Sequence, residues 1–91
     1  MMQAVKLTIS GKVQKVGYRN WFEAQALELG LNGYVRNLPT GQVEAVVVGE
    51  KDKIQMIIQR SWKEPSLANV ENIESVEIAT PQIIDDFKIV K

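Results

Sequence analysis

Apolar and polar residues alternate from the start of the chain: Val5, Leu7 and Ile9 are interleaved with Lys6, Thr8 and Ser10. That period of two predicts a half-buried strand. From about Arg19 to Leu29 the period lengthens, with Phe22, Ala26 and Leu29 at i, i+4 and i+7 and Leu27 widening the stripe, which predicts an amphipathic helix. Gly30 stands where a helix C-cap glycine belongs, and the Asn32-Gly33 pair predicts a further turn. Tyr34 to Asn37 and Val43 to Val48 read as two strands joined by Leu38-Pro39-Thr40-Gly41, a hairpin connection in which proline presets φ and glycine relieves it. The unbroken run Val46-Val47-Val48 implies burial on both faces, and so a central strand. A second helix is predicted from about Lys51 to Trp62, with Ile54, Ile57, Ile58 and Trp62 on the core side and Pro65 preventing continuation beyond Glu64. Val76 and Ile78 mark a fourth strand ending near Thr80-Pro81, and Phe87 and Ile89 a short fifth.

The resulting order is βαββαβ with an extra terminal strand. Such an order predicts an α+β fold, the ferredoxin-like split βαβ sandwich, with two helices on one face of an antiparallel sheet. Fold alone does not select a function here, because many activities share this architecture.

Composition narrows the field mainly by exclusion. The 91 residues suffice for one core, so a single domain over 1–91 is expected. Apolar runs are only a few residues long, too short to span a bilayer, and the N-terminus lacks the basic-then-apolar layout of a signal peptide. A cytoplasmic protein is the expectation. The chain contains no Cys and no His, which removes disulfides, thiol nucleophiles, Ser-His-Asp triads and the usual zinc sites. Neither a metal nor a cofactor is expected. The acidic residues Glu71, Glu74, Glu77, Asp85 and Asp86 read as a solvated strand face and loop. Formal net charge is zero, so nucleic acid is not attracted globally. Nor do the strand aromatics Tyr34 and Phe87 make the paired stacking platform of an RNA-binding sheet. Any anion binding must be local.

One stretch could supply it. Gly11-Lys12-Val13-Gln14-Lys15-Val16-Gly17-Tyr18-Arg19 follows a strand pattern and opens a helix pattern. Backbone N–H groups in such a turn can converge on a phosphate, the helix N-terminus adds its unpaired donors, and Arg19 offers a planar fork for phosphate oxygens. Taken alone, the same stretch is equally an ordinary strand-to-helix turn with a surface arginine. The second segment, Gly33-Tyr34-Val35-Arg36-Asn37, changes the balance. Together the two resemble the acylphosphatase family, whose signature runs Gly-x-Val-Gln-Gly-Val-Gly-Phe/Tyr-Arg followed by Gly-Tyr/Trp-Val-x-Asn. Lesser echoes, Gly49-Glu50, Pro65-Ser66-Leu67-Ala68-Asn69-Val70 and Asp86-Phe87-Lys88-Ile89-Val90, extend the likeness over nearly the whole chain.

The resemblance implies the same fold and the hydrolysis of acyl phosphates to carboxylate and inorganic phosphate. It assigns Arg19 to bind the phosphate and counter charge in the transition state, and Asn37 to hold the attacking water in line. The amides of Gln14, Lys15, Val16, Gly17 and Tyr18 would cradle the phosphate, which itself accepts the water's proton. Small-molecule acyl phosphates are then the partners, inorganic phosphate is product and inhibitor, and a monomer is expected, free of nucleic acid and membrane. A larger carbamoyl-phosphate-handling maturation enzyme carries a similar domain; a chain of this length reads as stand-alone. Arg36 is expected to be a solvated strand residue and Trp21 mainly a packing residue. One departure stands out: Lys15 occupies the place of a family glycine. If that position needs φ > 0, the lysine is strained; if not, its ammonium could add to the anion hole. The alternative function is accordingly a catalytically weak phosphate-binding module of the same fold, impaired by Lys15.

Overall fold

Two helices pack on one face of a five-stranded sheet. The structure, a computed structural model, describes residues 2–63, 68–79 and 86–90. The elements are β1 (Met2–Lys12), α1 (Tyr18–Glu28), β2 (Asn32–Asn37), β3 (Val43–Glu50), α2 (Lys51–Lys63), β4 (Asn69–Ile78) and β5 (Phe87–Ile89). Their order across the sheet is β4-β1-β3-β2-β5. The first four strands pair antiparallel, whereas β5 pairs parallel to β2, which makes the sheet mixed.

The valine run does occupy the central strand. Val43, Ala45 and Val47 face the helices with Val5, Leu7, Ile9, Phe22, Ile54 and Ile57, while Val46 and Val48 join Ala4 in a smaller cluster on the opposite face under Tyr34 and Ile78. Phe22 is fully buried, and burial of such a side chain contributes about 1.5–3 kcal/mol. The end of α1 is a complete Schellman arrangement: Gly30 N–H donates to the Leu27 carbonyl at 3.1 Å and Leu31 N–H to the Ala26 carbonyl at 2.9 Å.

Four details differ from the pattern-based expectation. Leu27 is exposed, lying on α1 roughly 140° of helical rotation from Phe22. Trp62 is also exposed, at 46%, and is not core. The buried positions of α2 are Ile54, Ile57 and Ser61, and Trp62 lies about 100° beyond Ser61. Asn32-Gly33 does not turn the chain but begins β2; Gly33 lies so close to β3 that a Cβ would overlap the Val46 carbonyl oxygen. Finally, β4 is far longer than Val76 and Ile78 suggested. Its pairing with β1 skips Glu71, a bulge that puts Val70 and Ile73 on the core side although they are an odd number of residues apart. Glu71, Glu74 and Glu77 are exposed along this edge strand, where charges discourage pairing with another chain. Pro65, Pro81 and Asp85 lie outside the described residues.

Candidate active site

Sheet topology decides where the site lies. β1 and β2 are each antiparallel to the intervening β3, so they run parallel to one another and end at the same edge of the sheet. The loop leaving β1 and the last residue of β2, Asn37, therefore meet there. They enclose a cavity of about 130 Å³ lined by Val13, Lys15, Gly17, Tyr18, Arg19, Asn20 and Asn37. That is room for one small anion.

The β1–α1 loop passes twice through the left-handed region. Lys15 has φ 63° and Gly17, the N-cap of α1, has φ 78°. Left-handed residues separated by one position aim successive N–H groups toward one side, the geometry of an anion nest. No side chain caps α1, and no acidic residue stands in its first turn. The unpaired donors of that turn, at the positive end of the helix dipole, therefore meet neither a side-chain cap nor a carboxylate of their own turn.

Behind the loop the chain is firmly held. Tyr18 is buried, its ring 5.5 Å from Trp21 and 6.3 Å from Phe22, and its hydroxyl donates to the Ser61 carbonyl on α2 at 2.9 Å. Burial pushes the Tyr18 hydroxyl up to about 12, the Ser61 side chain being a smaller opposing influence, so it stays neutral near pH 7. Val13 is buried beneath the cavity as its apolar floor.

On the facing side, Asn37 Oδ1 is buried and is the one buried side-chain polar atom without a hydrogen-bond partner among the described residues. A buried acceptor left open costs about 1–3 kcal/mol. Arg36, next to it, is engaged elsewhere: its Nε donates to Glu44 Oε1 at 2.9 Å, and Tyr34 Oη donates to the same oxygen at 3.2 Å.

Of the residues expected at the site, Lys15, Gly17, Tyr18, Arg19 and Asn37 line one cavity. Gln14 and Val16 do not. Val16 packs against the main core, and the Gln14 side chain bonds to the β2–β3 hairpin. Trp21 also packs on the core and is absent from the lining. Val13 and Asn20 line the cavity without having been singled out. Asn20 could have been found as the third residue after the N-cap glycine, where helix N–H groups are unpaired; nothing in the type of Val13 marks it as a floor.

This fold and this loop define an α+β sandwich with a small cavity where β1 and β2 end, lined by Arg19 and Asn37. The acylphosphatase family model matches residues 5–89, and the chain belongs to that family. It is 39% identical over 83 residues to an acylphosphatase of Nitrosococcus oceani, covering 91% of this chain and 93% of that one. A solved acylphosphatase of Coxiella burnetii superposes with a TM-score of 0.92 at 37% identity, covering 98% of this chain and 93% of the other. Full-length HypF in a phosphate- and nucleotide-bound form also superposes, at TM-score 0.89 and 30% identity, over all of this chain but only 12% of that much longer one. Among the described residues no helix is long and apolar enough to cross a membrane.

Proposed function

We propose that the protein hydrolyses acyl phosphates, releasing a carboxylate and inorganic phosphate, with no metal or cofactor. The observation that carries this reading is the meeting of Arg19 and the β1–α1 loop with Asn37, from the end of β2, around one cavity. The amides of Lys15, Gly17 and Tyr18, the first turn of α1 and the Arg19 guanidinium hold the phosphoryl group. The side-chain amide of Asn37 hydrogen-bonds the attacking water and holds it in line with the bond that breaks. As the water's oxygen bonds to phosphorus, the bond to the acyl oxygen opens and the electron pair leaves with the carboxylate. The water's proton passes to a phosphoryl oxygen.

The chemistry suits a site without His or Cys. A carboxylate leaves without protonation near neutral pH, so no general acid is required, and phosphoryl transfer depends chiefly on positioning and charge stabilisation. A stable phosphate ester would need more help than these residues provide. A site that reads mainly the phosphate leaves the acyl group loosely specified. Several small acyl phosphates should serve.

Hydrolysis of benzoyl phosphate in the presence of EDTA tests the proposal. Removing one preorganised donor costs on the order of 10² to 10³ in rate. Arg19→Ala and Asn37→Ala should each lose at least that much while keeping the parent's circular dichroism spectrum. Near-normal turnover in both would refute the assignment.

The left-handed φ of Lys15 favours one weaker reading, in which strain loosens the loop and leaves a phosphate binder. That reading gives no use to the open acceptor on Asn37. It predicts phosphate binding that depends on Arg19, with no turnover.

A further inference from the structure

By position Gln14 belongs to the anion loop, yet its side chain leaves it. Gln14 Nε2 donates to the carbonyls of Leu38 and Gln42, both at 2.9 Å. Each of these carbonyls already accepts a bond within the hairpin: Leu38 O from Gly41 N–H at 3.1 Å, and Gln42 O from Leu38 N–H at 2.8 Å. One NH₂ group, with its two divergent donors, thus fills a second acceptor site on both carbonyls that bracket the turn. Leu38 directly follows Asn37. Gln42 directly precedes Val43, the ladder partner of Asn37. The side chain therefore grips the main chain beside Asn37 on both strands. A second tie crosses nearby, from Gln42 Nε2 to Ser10 Oγ on β1 at 2.9 Å.

Asn37 depends on such a grip. Its Oδ1 has no protein partner to orient the amide, so the placement of this side chain beside the cavity rests on the backbone that carries it. We infer that Gln14 is a positioning residue, setting the distance between the phosphate loop and Asn37 by clamping the Leu38 and Gln42 carbonyls. This rests on the role proposed above for Asn37 and adds the part that aligns it. Without the clamp, Arg19 and the first turn of α1 still bind phosphate, but the water is held out of line. Misplacement by about 1 Å can cost on the order of 10² in rate.

The test measures kcat for benzoyl phosphate and the inhibition constant of inorganic phosphate in the parent, Gln14→Met and Gln14→Glu, each with and without Asn37→Ala. Gln14→Met keeps the volume and loses the donors. It should lower kcat by about tenfold or more while the phosphate constant moves by no more than about threefold. In the Asn37→Ala background it should cost nothing further, because the group it aligns is gone. Gln14→Glu should recover kcat relative to Gln14→Met as pH falls and its carboxyl regains a proton to donate, a pattern that lost packing does not produce. An unchanged kcat, a parallel loss of kcat and phosphate affinity, or a full extra loss on top of Asn37→Ala would overturn the inference. Should Gln14→Met fail to fold, a flat pH profile for Gln14→Glu would overturn it alone. A parent with no turnover would refute the acyl phosphate reading first, and the positioning role would fall with it.

Discussion

Lys15 is the only non-glycine residue with positive φ among those described, at 63°. An L-residue there costs about 1–2 kcal/mol, and such strain persists only where the surroundings impose it. Here the loop must carry the chain from β1 to α1 while its amides face the cavity, and residues 15 and 17 share the left-handed region that this path requires. Glycine at 15 would remove the side-chain penalty but lose more entropy on folding. Lys15→Gly is therefore expected to raise stability by a net of about 0.5–1 kcal/mol in urea unfolding, while Lys15→Ala, which keeps a Cβ, should lie close to the parent. The position was legible in the sequence as an anomaly, since a lysine stood where the resembled motif has glycine. Its φ was not, because φ follows from where both ends of the loop are anchored. Arg19 and Asn37 were legible for a similar reason: their spacing from glycine and aromatic neighbours is a local pattern. That Asn37 Oδ1 is open and Arg36 is paired with Glu44 depends on residues across the sheet.

Among the elements, the helices are joined through Tyr18 and Ser61. The small Ser61 sits in the buried row of α2, its hydroxyl donating to the Ile57 carbonyl at 2.6 Å, and the Tyr18 hydroxyl reaches its own carbonyl. Periodicity would place a large apolar residue in that row, and it selected Trp62; the row instead carries the small Ser61, whose carbonyl takes the Tyr18 hydroxyl from α1. The same limit explains β4. A bulge at Glu71 breaks the period of two, so only the outer half of the strand showed its pattern. The Tyr18 link has a pH signature. Its hydroxyl titrates near 12 in the fold against about 10 in the open chain, so above pH 10 the unfolded state loses a proton that the native state keeps. This stabilising contribution is complete below pH 10 and is lost as pH rises toward 12, a difference of about 2–3 kcal/mol. Tyr34 is pushed up too, by burial first and the Glu44 charge second, so the comparison must be with the parent. Tyr18→Phe should cost about 1 kcal/mol at pH 7 for the lost hydrogen bond and flatten the alkaline fall in chemical-denaturation curves.

At the scale of the molecule, one fact links stability to function: the cavity joins the β1–α1 loop to the far end of β2, parts separated by an intervening strand. A ligand seated there binds only the folded chain. Inorganic phosphate at a hundred times its dissociation constant should therefore stabilise the protein by about 2.7 kcal/mol, read as a rise in the urea midpoint. Arg19→Ala should lose most of that gain at the same phosphate concentration. A midpoint insensitive to phosphate in the parent would argue against the cavity as the anion site.

Read alone, the sequence determined the order of elements, the central place of the valine strand, the hairpin at Pro39-Thr40-Gly41 and the two segments that carry the chemistry. These follow from periodicity and turn chemistry, which act between residues near one another in the chain. Tertiary structure alone decided that β5 pairs parallel to β2, that Gly33 permits a close strand approach, that Ser61 and not Trp62 is buried, and that Gln14 bonds to the hairpin. Each of these is a contact between residues distant in the chain, and its partner becomes defined only once the sheet order brings the two together.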